Sequence, residues 1–199
     1  MISIKKAEYF LLSVMTKKAN LSVRQIRNLF LTGPPSSGKT TVIKKVLAKL
    51  ERKATGFHTE EIKKRAKRVG FLMKTLDNKE GLLGHEDIKS RFHIRRYGIS
   101  IENVETLAVP SIIPKSEDEI IILDEIGKME CFSEKFCEAA TKALDAPNMV
   151  LGTIAVGGTG FIRKVKERKD IKIYEVTAQS RNELPEQLIA EIEWLLEKN

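Results

Sequence analysis

The chain has 199 residues, a formal net charge of +8 and 42% hydrophobic residues. This length is enough for one α/β domain with a full core, and no linker rich in Pro, Gly or Ser divides it. Its two cysteines, Cys131 and Cys137, have no metal-type spacing with the three scattered histidines, so the simple inference is a reduced, cytoplasmic setting.

The N-terminal segment, residues 1–25, is predicted to be an extension that precedes the main domain, residues 26–199. Its apolar run, residues 9–15, is too short to span a bilayer and lacks the small-residue cleavage site of a signal peptide. We therefore expect a helix docked on the domain surface rather than a membrane anchor.

The clearest motif of the chain follows its first predicted strand, residues 28–32. It is the run Gly33-Pro34-Pro35-Ser36-Ser37-Gly38-Lys39-Thr40, which fits the phosphate-binding pattern G-x-x-x-x-G-K-[ST]. Residues 41–50 continue with helical spacing. Strand, loop and helix stand in the order in which backbone N–H groups and the helix start surround a phosphate.

Two side chains of this loop have predicted roles. Lys39 is expected to reach the β and γ phosphates of a nucleotide, and the Thr40 hydroxyl is expected to ligate Mg²⁺. Ser36 occupies a position where many such loops carry glycine. If that position requires a positive φ, serine is strained there.

The remaining pattern alternates strands and helices. We predict strands over residues 54–62, 68–76, 119–123, 149–156 and 171–176, and helices over residues 100–113, 133–144, 161–168 and 184–196. The near-continuous apolar strands imply an α/β fold with three layers and a mostly parallel sheet covered on both faces. The pair 54–62 and 68–76, with the turn 77–81, is predicted to form a small antiparallel insertion.

A second catalytic element ends the apolar run Ile120-Ile121-Ile122-Leu123, where Asp124 and Glu125 follow. An aspartate at this place in P-loop enzymes supports the magnesium ion held by the loop threonine, so Asp124 is expected to act together with Thr40. The glutamate that follows can polarise an attacking water. The pair therefore favours hydrolysis of a triphosphate over storage of a nucleotide.

Basic residues form clusters at residues 63–68, at Arg91, Arg95 and Arg96, and at residues 164–169. One interpretation is a binding surface for a polyanion such as RNA. The aromatic content is low and no RNA-binding signature is present. A solvated, lysine-rich surface is the interpretation that we favour from the sequence.

The chain resembles the small P-loop nucleoside-triphosphatases, which include the vertebrate cancer-related nucleoside-triphosphatase and its archaeal and thermophilic bacterial counterparts. The most specific matching run is Leu123-Asp124-Glu125-Ile126-Gly127-Lys128-Met129-Glu130. Other matching runs are Gly56-Phe57-His58-Thr59-Glu60-Glu61, Val69-Gly70-Phe71, Leu107-Ala108-Val109-Pro110, Leu151-Gly152-Thr153-Ile154, Val176-Thr177 and Arg181-Asn182. The resemblance extends from the phosphate loop to the C-terminal helix.

This resemblance implies a RecA-like sheet and Mg²⁺-dependent hydrolysis of ATP, GTP, CTP and UTP to the diphosphates. It implies nucleotide contacts from Gly33, Pro34, Pro35, Ser36, Ser37, Gly38, Lys39 and Thr40, and from Ile120, Ile121, Ile122, Leu123, Asp124, Glu125, Ile126 and Gly127. We expect Glu125 and Lys39 to be catalytic, and Thr40 and Asp124 to hold the metal. A monomer that does not bind membranes is expected.

Several further side chains have open roles. Arg181, with Thr177 and Asn182 nearby, is a candidate to stack on the base. His58 is expected to pack rather than to catalyse, and Glu60 and Glu61 could order water or metal. Arg163 or Lys164 could stabilise transferred charge, although an exposed helix face is the favoured interpretation. Met129, Cys131, Phe132 and Phe136 are expected in the core. This chain has Arg95-Arg96 where the family usually has Val-Gly, and Ser180 where the family has asparagine.

Two other functions remain open at this point. The first is a kinase that passes the γ phosphate to a nucleoside, a nucleotide or an RNA end, because the phosphate loop and Asp124 would serve either acceptor. The second is an RNA-associated switch module in which hydrolysis only resets the state of the protein.

Overall fold

The computed structural model describes residues 26–197. The predicted N-terminal helix lies outside the described residues. The strands are β1 (Asn28–Thr32), β2 (Ala54–Lys64), β3 (Lys67–Thr75), β4 (Glu80–His85), β5 (His93–Ile94), β6 (Tyr97–Ile99), β7 (Ile120–Ile126), β8 (Val150–Ile154) and β9 (Ile171–Glu175). The helices are α1 (Lys39–Lys49), α2 (residues 101–111), α3 (Glu134–Asp145), α4 (Phe161–Lys166) and α5 (Leu184–Glu197).

These strands form one mixed sheet in the order β5-β6-β4-β3-β2-β7-β8-β1-β9. The pairs β2–β7, β7–β8, β8–β1 and β1–β9 are parallel, whereas β3, β4, β6 and β5 join the edge of β2 by antiparallel pairing. The prediction of a mostly parallel sheet with a small antiparallel insertion was therefore wrong in its proportions. The antiparallel strands continue the same sheet and supply half of its pairings.

Two hydrophobic cores lie on the two faces of the sheet. Along β1, Phe30 belongs to one core, while Leu29 and Leu31 belong to the other. The first core includes Phe136 of α3, and the second includes Val46 of α1. Because successive side chains of a strand point to opposite faces, this division confirms the prediction that helices cover both faces.

The helix predicted over residues 100–113 is present, with an irregularity that the sequence pattern did not indicate. Ser100 caps it as predicted, because its Oγ accepts a hydrogen bond of 3.2 Å from the backbone N–H of Asn103. The middle turn, Val104–Ala108, is π-helical. Leu107, in this turn, packs against the first core.

The loops of the candidate site lie at one edge of the sheet, formed by the carboxyl ends of its parallel strands. The phosphate-binding loop follows the C-terminal end of β1, and Asp124 and Glu125 lie at the C-terminal end of β7. Strand β2 pairs with β7 only over residues 54–57, and the rest of β2 continues past this edge as a hairpin with β3. That hairpin therefore forms a wall next to the loops.

Candidate active site

Two glycines of the phosphate-binding loop adopt positive φ angles, which glycine allows without steric cost. Gly33 has φ of 147° and Gly38, directly before α1, has φ of 102°. Ser36 has φ of 63°, so serine stands in the left-handed conformation at the position where many such loops carry glycine. A left-handed residue other than glycine costs about 1–2 kcal/mol, which the loop accepts at Ser36.

Lys39 lies across the loop. Its Nζ donates a hydrogen bond of 3.0 Å to the carbonyl of Gly33 and one of 3.3 Å to the carbonyl of Pro34. The same carbonyl of Pro34 accepts a hydrogen bond of 3.2 Å from the backbone N–H of Ser37. The ammonium group is thus held over the loop that is expected to surround the phosphates.

Asp124 is buried next to two threonine hydroxyls. Its Oδ1 accepts a hydrogen bond of 2.5 Å from Thr153 Oγ1, on the neighbouring strand β8. Burial raises the pKa of Asp124, and hydrogen bonds from the Thr153 and Thr40 hydroxyls oppose that rise. Its Oδ2 is buried and has no hydrogen-bond partner among residues 26–197.

These groups fit a magnesium ion that arrives with a nucleotide. A buried carboxylate oxygen without a partner costs free energy unless something binds it, and the hydroxyl of Thr40 lies beside the same carboxylate. Carboxylate and hydroxyl oxygens are the hard donors that Mg²⁺ prefers. Within the described part of the chain, no cluster of three or more His, Cys, Asp or Glu residues forms a separate metal cage. Magnesium usually takes its other ligands from water and substrate phosphates.

Glu125 and Glu130 form a pair of carboxyl groups at the same edge. A methyl group on Gly127 would lie 2.6 Å from Glu125 Oε1 and 2.8 Å from Glu130 Oε2, so the missing side chain makes room for both. Burial raises the pKa of Glu125. The positive charge of Lys39 opposes this rise, and the negative charge of Asp124 adds to it. Burial and the neighbouring Glu125 raise the pKa of Glu130 to about 8.

The raised pKa of Glu130 predicts a pH-dependent stability. The buried carboxyl of Glu130 is more favourable neutral than charged. Its protonation therefore contributes fully to the stability of the fold below the unfolded pKa of 4.5, and this contribution is lost as the pH rises towards the folded pKa of about 8. We expect Glu130→Gln to flatten the fall of the melting temperature between about pH 5 and pH 8. Thermal unfolding across this range measures it. The exposed Glu138→Gln is the control, and an unchanged slope in Glu130→Gln would contradict a protonated Glu130.

A cleft of about 670 Å³ opens between the phosphate loop and the β2–β3 hairpin. Its lining includes Lys39 and Thr40 from the loop, Glu125 and Glu130 from the β7 end, and Arg95 from the β5–β6 turn. Its remaining walls come from the β2–β3 hairpin, from β4 and β5, and from the segments after β7 and β8. These residues are Thr59, Glu60, Glu61, Arg68 and Phe71 of the hairpin, Leu83 and Ile94 of β4 and β5, Lys128 and Met129 after β7, and Ala155 and Val156 after β8.

Glu60 is the centre of an ion-pair network on the hairpin wall. It contacts Lys44 Nζ at 2.5 Å, Lys74 Nζ at 3.0 Å and His58 Nε2 at 3.3 Å. The hydrogen bonds from Lys44 and Lys74 lower the pKa of Glu60 to about 2. Burial and the positive charge of Lys44 lower the pKa of His58, and its hydrogen bond with Glu60 opposes this.

Arg181 lies on the other side of the loop. A methyl group on Gly38 would lie 3.8 Å from Arg181 Cδ, and Arg181 is exposed and does not line the cleft. The hydroxyl of the neighbouring Ser180 is occupied by hydrogen bonds within its own turn. Its Oγ accepts a hydrogen bond of 3.0 Å from Thr177 N–H and donates one of 3.0 Å to the carbonyl of Glu175.

Other predicted site residues have different surroundings. Ile120, Ile121, Ile122 and Leu123 are fully buried in the two cores, so their side chains support β7 and do not reach the cleft. Arg163 is exposed and its Nε donates to Glu167 Oε1 at 2.8 Å on α4, which agrees with the exposed helix face that was favoured. Phe136 is fully buried, and Met129 and Cys131 pack against the same core.

Sequence reasoning missed three groups that the fold brings to the site. Thr153 lies 29 residues after Asp124, and only the pairing of β7 with β8 joins them. Glu130 belongs to the most specific matching run, yet an acidic residue there gave no sign of burial. Arg95 was noted for its charge, and its place in the cleft depends on the two shortest strands, β5 and β6.

The comparisons with known proteins agree with this geometry. A family model described as NTPase matches residues 28–189. Nucleoside-triphosphatase THEP1 of Thermotoga sp. (strain RQ2) is 39% identical over 163 residues, which cover 81% of this chain and 93% of that protein. The cancer-related nucleoside-triphosphatase homolog of Mus musculus is 34% identical over 186 residues, with coverage of 84% and 97%.

A solved structure supports the same relationship. The crystal structure of THEP1 from the hyperthermophile Aquifex aeolicus matches with a TM-score of 0.76 and 30% identity, and the match covers 83% of this chain and 99% of that chain. Within residues 26–197, no helix combines the length and the apolar character that crossing a membrane requires. The chain belongs to the nucleoside-triphosphatase family that includes THEP1 and the cancer-related nucleoside-triphosphatases.

Proposed function

We propose that the protein hydrolyses nucleoside triphosphates to diphosphates and phosphate, depends on Mg²⁺, and accepts all four common bases. The observation that carries this proposal is that Lys39, Thr40 and Glu125 line a single cleft, with Asp124 buried beside Thr40. The sheet order and the two covered faces also support a RecA-like, three-layer arrangement.

The mechanism assigns one task to each group. The loop N–H groups and Lys39 bind the phosphate chain and neutralise the charge that develops on it. Thr40 and Asp124 would hold the magnesium ion, which, when bound, screens the phosphate charge and orients the γ phosphate. Glu125 orients the attacking water and accepts its proton. Burial raises the pKa of Glu125, which makes its carboxylate a stronger proton acceptor than that of an exposed glutamate.

The same geometry suggests how a bound nucleotide is oriented in the site. The γ phosphate has to lie towards Lys39 and Glu125, where the reactive groups are. The nucleoside then leaves the loop towards Gly38 and Arg181. On that side Arg181 can stack on a base without reading its edge, and the Ser180 hydroxyl is already engaged by the backbone of its own turn.

This predicts broad base tolerance. We expect ATP, GTP, CTP and UTP to be hydrolysed with kcat/KM values within about tenfold of one another, which corresponds to under about 1.4 kcal/mol in transition-state binding. Steady-state phosphate release with each nucleotide measures this. A preference above about a thousandfold for one base would require a buried, hydrogen-bonding base pocket, contrary to the proposal.

Transfer of the γ phosphate to an organic acceptor is the second candidate function, and the lining of the cleft supports it. Phe71, Leu83 and Ile94 add an apolar wall beyond the phosphate loop, and an attacking water does not need such a wall. Chromatography of γ-labelled ATP products, with and without nucleosides, nucleotides and RNA 5′ ends, separates the two reactions. Hydrolysis predicts free phosphate in every mixture, whereas a labelled acceptor would favour the kinase.

A further inference from the structure

Two turns of the antiparallel half of the sheet form one basic surface. The first is the tip of the β2–β3 hairpin, residues 63–68, and the second is the β5–β6 turn, residues 95–96. We call them together the basic hairpin surface. The two turns are in contact, because Arg96 Nη2 and Tyr97 Oη both donate hydrogen bonds to the carbonyl of Arg68, the second at 3.1 Å.

The charge of this surface is only partly compensated. Glu61 pairs with Arg68 and with Lys63, the latter at 3.2 Å, and Glu86 lies 3.6 Å from Arg96 Nε. Lys64, Arg65, Lys67 and Arg95 form no ion pair within residues 26–197, and all four are exposed. Seven cations therefore face two carboxylates. The resulting excess of positive charge on this surface is a large share of the net charge of +8 of the chain. Such a concentration attracts polyanions.

The basic hairpin surface borders the catalytic cleft. Arg68 and Arg95 belong both to this surface and to the lining of the cleft. Behind them the cleft wall contains Phe71 and Ile94, and the Arg68 guanidinium lies 5.0 Å above the Phe71 ring. A positive rim beside apolar and aromatic side chains is the combination that binds single-stranded nucleic acid by its phosphates and its bases.

We propose that the basic hairpin surface binds single-stranded nucleic acid, with the phosphate backbone along the two turns and a base directed at the Phe71 wall. The binding is not sequence-specific, because arginine and lysine side chains contact phosphates and an aromatic wall accepts any base. Residues 63–67 lie outside the cleft lining, whereas Arg68, Arg95 and the Phe71 wall belong to it, so the oligonucleotide lies mainly outside the nucleotide cleft and reaches it only at its border. The sequence alone favoured a solvated surface, because nothing in it showed that the two basic turns meet.

The test measures fluorescence anisotropy of a labelled oligonucleotide of about 15 nucleotides, as RNA and as DNA, without any nucleoside triphosphate. We compare the wild-type protein with the triple variant Lys64→Gln, Arg65→Asn, Lys67→Gln. Asparagine is chosen for Arg65 because its φ is 49° and asparagine tolerates this conformation. The matched control, Lys142→Gln, Lys164→Gln, Lys169→Gln, removes the same charge from exposed positions elsewhere.

We expect wild-type binding that weakens between about 50 mM and about 200 mM salt. The hairpin variant should bind at least about tenfold more weakly and lose about two units of the salt slope, as expected when three phosphate contacts are removed from a single strand. The control variant should bind like the wild type. Absence of wild-type binding at low salt, or equal losses in the two variants, would overturn the proposal. Equal affinity for a duplex would overturn its single-strand part.

A second measurement needs no variant and covers the case in which the hairpin variant does not fold. Bound oligonucleotide should protect Lys64 and Lys67 of the wild-type protein from acetylation by at least about threefold, an effect that mass spectrometry resolves. Lys142 and Lys164 should not be protected. Uniform protection of all four lysines, or none at all, contradicts this location of the site.

Discussion

Replacing Lys39 with alanine is expected to lower kcat/KM for ATP by about a hundred- to a thousandfold, the range measured when one charge-stabilising donor is removed from an active site. Lys39 is the cation held over the phosphate loop, through its bonds to the carbonyls of Gly33 and Pro34. Triphosphate affinity should fall as well, because the same ammonium group is proposed to contact the bound phosphates in the ground state. Steady-state kinetics and equilibrium binding measure the two effects.

Lys45→Ala is the matched control for this experiment. Lys45 is an exposed lysine of the same helix α1 and does not line the cleft. It should keep the wild-type kcat/KM, so any loss in Lys39→Ala cannot come from the helix alone. Near-normal turnover in a folded Lys39→Ala protein would contradict the assignment of the active site.

Glu125→Gln is expected to lower kcat by about a hundredfold while the affinity for magnesium-ATP persists. Glutamine keeps the shape of the side chain and can still donate and accept hydrogen bonds, but it cannot take a proton from water. Asp124 and Thr40, the pair proposed to hold the metal, are unchanged in this variant. Single-turnover kinetics together with nucleotide binding separates the chemical step from affinity.

The outcome of this experiment distinguishes two roles for Glu125. If binding and turnover fall together, Glu125 is structural or holds the metal, and the proposed role in water activation is wrong. Glu138→Gln, an exposed glutamate on α3, should retain both properties. Glu125→Gln and Glu130→Gln also differ in their expected effects, because Glu130 is predicted to change the pH dependence of stability.

The parts of the candidate site that are local in the chain could be proposed from the sequence. The phosphate loop is one continuous run between a strand and a helix, so its spacing alone determines where Lys39 and Thr40 lie. Asp124 and Glu125 follow an apolar strand directly, and the edge of the sheet brings them to the same place. The strained position of Ser36 could be anticipated because glycine is common in that slot.

Other features depend on contacts between distant parts of the chain. β5 and β6 have two and three residues, which is too short for a hydrophobic period to appear. Their pairing with β4 places Arg95 in the cleft and brings Arg96 against the carbonyl of Arg68. The burial of Glu130 likewise follows from packing around Gly127, which no local pattern encodes.

The most direct test of the central claim is hydrolysis of ATP in ¹⁸O-labelled water, with the products analysed by mass spectrometry. In-line attack of a water molecule on the γ phosphate predicts one solvent oxygen in each released phosphate and none in the diphosphate. Solvent oxygen in the nucleoside diphosphate would mean attack at the β phosphorus. Phosphoryl transfer to an organic acceptor, without labelled phosphate, would show that water is not the acceptor. Either result would contradict the proposed hydrolysis.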